Sequence, residues 1–180
     1  MVEQPIVSNK VVLCGSFNPL HDGHSQLLHI ASMKCGNQAR CFEMTLNNAD
    51  KGALTVDDPS LLARIRQFTM ISSDLVLTNK SLFVEKARLM PECQFVIGND
   101  TYVRILNPKY YQDSVANMET AIGQIKATGG SFIVGGRTVG GVFSEADPSL
   151  VPSSLEGMFL FLHENEFRND LSSTQLRKEG

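Results

Sequence analysis

Residues 11–28 read VVLCGSFNPLHDGHSQLL, and this stretch decides the fold of the 180-residue chain. Its first four residues form an apolar run, which is typical of a buried strand. Residues with strong turn preferences then end the run: Gly15, Asn18 and Pro19. The sequence therefore predicts a strand that leads directly into a glycine-containing loop.

A helix is predicted to follow this loop, because residues with helical spacing come next: His24, Leu27, Leu28 and Ala31. Asp22 is expected to cap the helix, and Gly23 lets the backbone come close to a ligand. The loop thus delivers His21 and His24 to the helix N-terminus, where free N–H groups and the positive end of the helix dipole favour an anion. Two histidine donors beside such a point suggest a phosphate chain as the ligand.

Two segments of the chain resemble the signatures of a known family. GSFNPLHDGH, residues 15–24, resembles the G-x-F-x-P-x-H-x-G-H signature of the nucleotidyltransferases with an H-x-G-H motif, the cytidylyltransferase-like superfamily. Its Asn-Pro form is most similar to the nicotinamide- and nicotinate-mononucleotide adenylyltransferases. LSSTQLR, residues 171–177, resembles the second signature of the superfamily, I-S-S-T-x-x-R. Two matches in the family's order are far more specific than either match alone.

The length of the chain predicts one domain, residues 1–180, with enough sequence to bury a core. Short apolar runs alternate with amphipathic helical segments, and strands are predicted at residues 11–14, 40–46, 75–77, 95–97, 132–134 and 158–162. This alternation indicates an α/β, Rossmann-like fold, a doubly wound parallel sheet with helices on both faces. The fingerprint G-x-G-x-x-G is absent after the first strand, which argues against a nicotinamide-dependent dehydrogenase.

The net charge of −3 gives no general attraction to nucleic acid or to an anionic membrane, and we expect neither as a partner. No apolar run approaches the length of a membrane span, and the first ten residues hold no hydrophobic signal core. The four cysteines form no C-x-x-C pair, which argues against zinc and favours a reduced, cytoplasmic protein. Self-association into a homo-oligomer stays open.

The reaction that the resemblance implies depends on alignment and charge stabilisation. An acceptor phosphate attacks the α-phosphorus of ATP, and pyrophosphate leaves. A phosphate monoester has a second pKa of about 6, so it is largely ionised at pH 7 and requires no general base. Mg²⁺ is implied as the companion of ATP, with few protein ligands and no dedicated cage.

The resemblance also implies which residues form the site. The catalytic residues would be His21, His24 and Arg177, with His24 nearest the α-phosphate. ATP would be bound by residues of both signatures: Gly15, Ser16, Phe17, Gly23, Ser172, Ser173 and Thr174. The acceptor would meet residues that follow the strands: Asn47, Lys51, Asp100 and Arg137. Simpler roles stay open, namely a helix cap for Asp100 or for the serines, and a solvated loop position for Lys51.

The chain contains no tryptophan, although many members of the superfamily stack a tryptophan on the nicotinamide ring. Its place would fall to another aromatic side chain: Phe83, Tyr102, Tyr110 or Tyr111. The cluster RILNPKYY, residues 104–111, either faces the acceptor or forms a structural turn.

Three functions remain open at this point. The motif forms favour an adenylyltransferase that acts on nicotinamide or nicotinate mononucleotide in NAD biosynthesis. A sister transferase would use another acceptor, such as phosphopantetheine or flavin mononucleotide, or CTP as the donor. A nucleotide-binding regulator without turnover would share the same fold.

Overall fold

A computed structural model describes residues 4–48, 52–53, 58–139 and 142–168. In this part of the chain the strands are β1 (Val11–Cys14), β2 (Arg40–Thr45), β3 (Asn47–Asn48), β4 (Gly52–Ala53), β5 (Leu75–Thr78), β6 (Gln94–Gly98), β7 (Ser131–Gly135), β8 (Arg137–Val139), β9 (Val142–Ser144) and β10 (Phe159–Leu162). The α-helices are α1 (Asp22–Lys34), α2 (Pro59–Met70), α3 (Phe83–Leu89), α4 (Asn99–Ile105) and α5 (Val115–Ala127). Short 3₁₀ helices cover Pro108–Tyr111, Pro148–Leu150 and Ser153–Leu155.

The central sheet has six strands in the order β10-β7-β6-β1-β2-β5, and every pairing in it is parallel. Val12 of β1, for example, lies between Cys41 of β2 and Phe95 of β6. The strand order reverses between β1 and β6, and parallel sheets of this kind bind ligands at the carboxyl ends of the strands beside such a reversal. The predicted Rossmann-like α/β fold is thus confirmed.

Side chains that alternate along each strand serve two separate cores, one on each face of the sheet. Val11 and Leu13 pack with residues of α1 and α2, whereas Val12 packs with residues of α3 and α5. The alternation arises because successive side chains of a strand point to opposite faces. Helices therefore cover both faces, as the sequence predicts.

Local details differ from the prediction at the helix starts and in the loops. His21, with an extended backbone at φ −145° and ψ 167°, is the N-cap of α1, so Asp22 is its first helical residue and not its cap. The reason is that the His21 N–H pairs with the His24 ring, which makes the turn without the carboxylate. Two short antiparallel ladders, β3 with β4 and β8 with β9, occupy regions predicted as loop or left open.

The four cysteines are free thiols: Cys14, Cys35, Cys41 and Cys93. Within the ranges that the structure describes, helices are too short or too polar to cross a lipid bilayer.

Candidate active site

The candidate site lies at the carboxyl edge of the sheet, where β1 and β6 end side by side. The loop after β1 leads into α1, and β6 runs directly into α4 at Asn99. Two polar atoms in this region are buried and lack a hydrogen-bond partner in the structure, namely Nδ1 of His21 and Oδ1 of Asn99. Buried polar atoms are normally paired, so this edge of the sheet has polar groups left over for a ligand.

His21 and His24 form a close pair of tilted rings at the N-terminus of α1. Their ring centroids are 3.8 Å apart, with an angle of 31° between the ring planes. The backbone N–H of His21 donates to Nδ1 of His24 at 3.2 Å. Because Nδ1 accepts this hydrogen bond, the proton of the neutral His24 ring is carried by Nε2, which then serves as a donor.

Both imidazoles are held in the neutral form. The pKa of His24 is lowered to about 4, mainly by burial and also by the neighbouring His21, against an opposing backbone hydrogen bond. Burial also lowers the pKa of His21, with partial compensation from the carboxylate of Asp22. At pH 7 the pair therefore offers neutral N–H donors beside the positive end of the helix dipole.

The ring of Phe17 is buried in the core on the α1 and α2 side of the sheet, and it anchors the loop that follows β1. Its side chain is 1% exposed and meets the rings of Phe42, Phe68 and His24 edge-on, with centroids 5.3, 5.3 and 5.1 Å away. A Cβ on Gly15 would lie 2.9 Å from the Phe17 ring, so the glycine is required for this packing. The side chain of Phe17 thus belongs to the core, and the predicted contact of Phe17 with ATP, which only its main chain is free to make, stays a prediction.

Gln67 of α2 holds the loop in place through two hydrogen bonds. Its Oε1 accepts from the backbone N–H of Leu20 at 2.8 Å, and its Nε2 donates to the carbonyl of Phe17 at 3.2 Å. Phe17 adopts a left-handed backbone with φ 45°, which is costly for a residue with a large side chain and needs such support. The sequence did not identify Gln67, because nothing in the pattern of α2 links it to a loop 47 residues earlier.

The structure places some of the other predicted site residues and leaves others outside the ranges it describes. Ser16 is exposed in the loop, Gly23 is buried in the first turn of α1, and Asp100 is exposed in the first turn of α4. Asn47 and Arg137 begin β3 and β8 near the carboxyl edge, as backbone positions only. Residues outside the described ranges are Lys51, Ser172, Ser173, Thr174 and Arg177, and their roles stay predictions.

A pocket of about 320 Å³ opens between α3, α4, α5 and the 3₁₀ turn Pro108–Tyr111. Its lining is mainly apolar and aromatic, with Phe83, Tyr110 and Tyr111 in the wall and Arg104 beside them. The segment that the sequence left undecided is therefore both a turn, capped by Asn107, and part of a pocket wall.

Tyr102 is the exception among the predicted aromatic substitutes for tryptophan. It is 0% exposed, and its hydroxyl donates to the carbonyl of Asp147 at 2.7 Å. Edge-on contacts with Phe159 and Phe161, both at 5.4 Å between centroids, complete its surroundings. The prediction that Tyr102 could stack on a ligand ring is therefore wrong, because helical spacing within α4 turns it into the core.

Comparisons with known proteins agree with this architecture. A family model described as cytidylyltransferase-like matches residues 12–179. The solved structure of Plasmodium falciparum nicotinic acid mononucleotide adenylyltransferase complexed with NaAD has a TM-score of 0.54 and 20% identity, covering 95% of this chain and 83% of that one. The same protein complexed with APC has a TM-score of 0.52 and 18% identity, covering 94% and 83%. A comparison with curated proteins finds no match.

The two Plasmodium structures show that the fold is similar, whereas the family model matches the amino-acid sequence. It begins within β1 and extends past the second signature, so it includes both segments that carry the resemblance. Since it spans nearly the whole sequence, the chain belongs to the cytidylyltransferase-like family and is a nucleotidyltransferase.

Proposed function

We propose that this protein transfers the adenylyl group of ATP to the phosphate of nicotinamide or nicotinate mononucleotide, releasing pyrophosphate and forming a dinucleotide. The observation that carries the proposal is the close, neutral pair of His21 and His24 at the N-terminus of α1. The two similar structures add support, since both are of a nicotinic acid mononucleotide adenylyltransferase, with NaAD or APC bound. The fold likeness alone does not specify the acceptor.

In this proposal the chain's own groups align two anions and stabilise charge on the phosphoryl oxygens. The N–H groups of the first turn of α1 and Nε2–H of His24 donate to the α-phosphate, where negative charge builds up during transfer. An oxygen of the acceptor phosphate forms a bond to the α-phosphorus, and the bond from that phosphorus to the bridging oxygen of pyrophosphate breaks. The acceptor phosphate is already ionised at pH 7, so neither histidine needs to remove a proton.

ATP would enter as its Mg²⁺ complex, in which the cation neutralises charge on the phosphates. Within the described ranges, no group of three or more His, Cys, Asp or Glu side chains is arranged to hold a metal ion. In this proposal the ion is carried mainly by the substrate phosphates and by water, with few protein ligands.

The apolar pocket is the proposed place for the ring of the acceptor. Its lining includes Ser81 and Leu82, which follow β5, and Thr101 of α4, which follows β6, so one side of the pocket lies near the carboxyl edge. Tyr110 and Tyr111 supply flat aromatic surfaces that take the place of the missing tryptophan. A planar, uncharged or weakly charged ring suits such a wall better than the flexible chain of phosphopantetheine.

The test is a pyrophosphate-release assay with ATP, Mg²⁺ and nicotinamide mononucleotide, run on the wild type, His24→Ala and His29→Ala. We expect turnover in the wild type and a loss of at least ~100-fold in His24→Ala, because one preorganised donor contributes about that much. His29 lies on the same helix but is exposed and contacts Arg40, so His29→Ala is the matched control and should keep full activity.

A panel of acceptors and donors separates the alternatives. Turnover with nicotinate mononucleotide, phosphopantetheine or flavin mononucleotide, or with CTP in place of ATP, would identify the partner substrates. ATP binding without turnover on any acceptor would instead indicate a regulator. Full activity in His24→Ala would contradict the assigned role of the histidine pair.

A further inference from the structure

A charged pair is buried between β2 and α3, and its strand residue pairs with the end of β1, where the loop of residues 15–21 begins that we call the histidine loop. Glu43 of β2 is 0% exposed, and Lys86 of α3 is 5% exposed. Nζ of Lys86 donates to Oε2 of Glu43 at 2.6 Å, and the hydroxyl of Thr78 donates to Oε1 at 2.6 Å. Each carboxylate oxygen therefore has a short, directed partner, and the pair is neutral as a unit.

Cys14, the last residue of β1, completes this cluster. It lies opposite Glu43 in the strand register of β1 and β2. Burial raises the pKa of the Cys14 thiol, so it stays protonated. Burial opposes the charge of Lys86, but the carboxylate of Glu43 outweighs it and raises the pKa of the ammonium group. The buried charges are thus an ammonium and a carboxylate in contact.

The cluster connects directly to the loops that form the candidate site. The carbonyl of Glu43 accepts from the N–H of Gly15 at 3.0 Å, which fixes the first residue of the histidine loop. The carbonyl of Thr78 accepts from Leu46, after β2, at 2.7 Å, and its hydroxyl accepts from the N–H of Lys80, after β5, at 3.3 Å. Residues of the cluster are therefore hydrogen-bonded to three loops at the carboxyl edge, to two of them through main-chain carbonyls and to the third through the hydroxyl of Thr78.

The same cluster also reaches the pocket proposed for the acceptor. Nζ of Lys86 lies 5.4 Å from the centroid of the Phe83 ring, and Phe83 forms part of the pocket wall. Phe83 packs edge-on against Phe95 and Phe132, at 5.6 and 5.3 Å between centroids, so its ring is fixed from the sheet side as well. A shift of Lys86 would therefore move the wall of the pocket together with α3.

We propose that Glu43 and Lys86 are positioning residues for the transfer reaction, because they hold the histidine loop and the wall of the acceptor pocket in one relative arrangement. The inference rests on the proposed function. Its physical basis is that a buried ion pair seldom stabilises a fold more than apolar side chains of the same size would. Such a pair instead fixes the relative positions of the elements that carry it, since each of its hydrogen bonds is satisfied in one geometry only.

The central experiment compares the double variant Glu43→Gln/Lys86→Met with the wild type. The double variant contains no unpaired buried charge, and the glutamine keeps an acceptor for Thr78, so we expect thermal unfolding near that of the wild type. We nevertheless expect kcat to fall roughly 10- to 100-fold and KM for the mononucleotide to rise, since small displacements of aligned groups cost rates of that order. Unchanged kcat and KM in the folded double variant would show that the pair serves stability alone.

A control variant and a replacement pair of variants complete the experiment. Lys10→Met removes a lysine from the exposed pair with Asp74 at the amino end of β1, at 3.0 Å, and should leave kcat and KM unchanged. If the double variant does not fold, Thr78→Val and Thr78→Ser replace it, because valine removes the hydroxyl that Glu43 accepts from and serine keeps it. We expect Thr78→Ser to retain kcat and Thr78→Val to lower it several-fold; equal values would overturn the proposal.

Failure of the positioning role and failure of the proposed function give different results. If the wild type transfers no adenylyl group to any acceptor, the proposed function fails. The positioning role is then measured by calorimetric titration of ATP, where the double variant should bind at least ~10-fold more weakly through displacement of the histidine loop. Equal ATP affinity of the two proteins would overturn the positioning role in that case.

Discussion

His24 links the chemistry of the site to the stability of the fold. Its pKa is about 4 in the folded protein, against an ordinary value of 6.5, because burial disfavours the charged ring. Between these two pH values the unfolded chain binds a proton that the folded chain does not bind. The contribution of His24 to the free energy of unfolding is therefore complete above pH 6.5 and decreases as the pH falls towards 4.

We predict that the wild type loses about 2 kcal/mol more stability than His24→Asn when the pH is lowered from 7 to about 5. The asparagine keeps a carbonyl that can accept from the His21 N–H, but it does not titrate. Denaturant unfolding of both proteins at the two pH values measures the difference. Equal losses in the two proteins would mean that His24 is already charged, or is solvated, in the folded state.

Single residues also show where sequence reasoning meets its limit. The motif identified Gly15 and Phe17, but the reason for the glycine is the Phe17 ring, which would lie 2.9 Å from an added Cβ. Glu43 was detectable as a charge within the apolar strand RCFEMT, yet its partner Lys86 is 43 residues away. A sequence pattern shows that such a residue is unusual, whereas only the packed structure shows what satisfies it.

Among the elements, α2 has a role beyond covering the sheet. The side chain of Gln67 on this helix is hydrogen-bonded to both the N–H of Leu20 and the carbonyl of Phe17, so it holds two points of the histidine loop at a fixed distance from α2. Apolar periodicity and helix caps predicted the main helices and strands. One such cap is Asp58, whose carboxylate accepts from the N–H of Ser60 at 2.8 Å at the start of α2. The two short antiparallel ladders, β3 with β4 and β8 with β9, could not be predicted in this way, because strands of two or three residues are too short to show a periodic pattern.

We predict that Gln67→Ala lowers kcat by roughly 10-fold, because the loop that positions His24 becomes less ordered. The loss of two hydrogen bonds should cost about 1–3 kcal/mol of stability, within the range that leaves the protein folded. Thr69→Ala, at an exposed position of the same helix, is the matched control and should change neither quantity. Steady-state kinetics and denaturant unfolding measure the two effects, and a kcat equal to that of the control would contradict the role of Gln67.

At the scale of the whole molecule, the strand order explains why one edge collects the chemistry. The reversal between β1 and β6 leaves a crevice there, and α1 and α4 both begin beside it. The sequence predicted this architecture, since alternating strands and helices allow few other arrangements. It did not predict the pocket, because α3, α4, α5 and a 3₁₀ turn form its wall together and no single segment carries its signal.

The last prediction follows from the proposal that the crevice binds ATP and the pocket binds the ring of the acceptor. Tyr110, 62% exposed at the pocket, should contact the ring of the mononucleotide, and His24 should contact ATP. Stacking on an aromatic ring contributes about 0.5–1.5 kcal/mol, so Tyr110→Ala should raise KM for the mononucleotide by roughly 2- to 12-fold with KM for ATP unchanged. Tyr110→Phe keeps the ring and should keep both values. A rise in KM for ATP instead would place the adenine base, and not the acceptor ring, in this pocket.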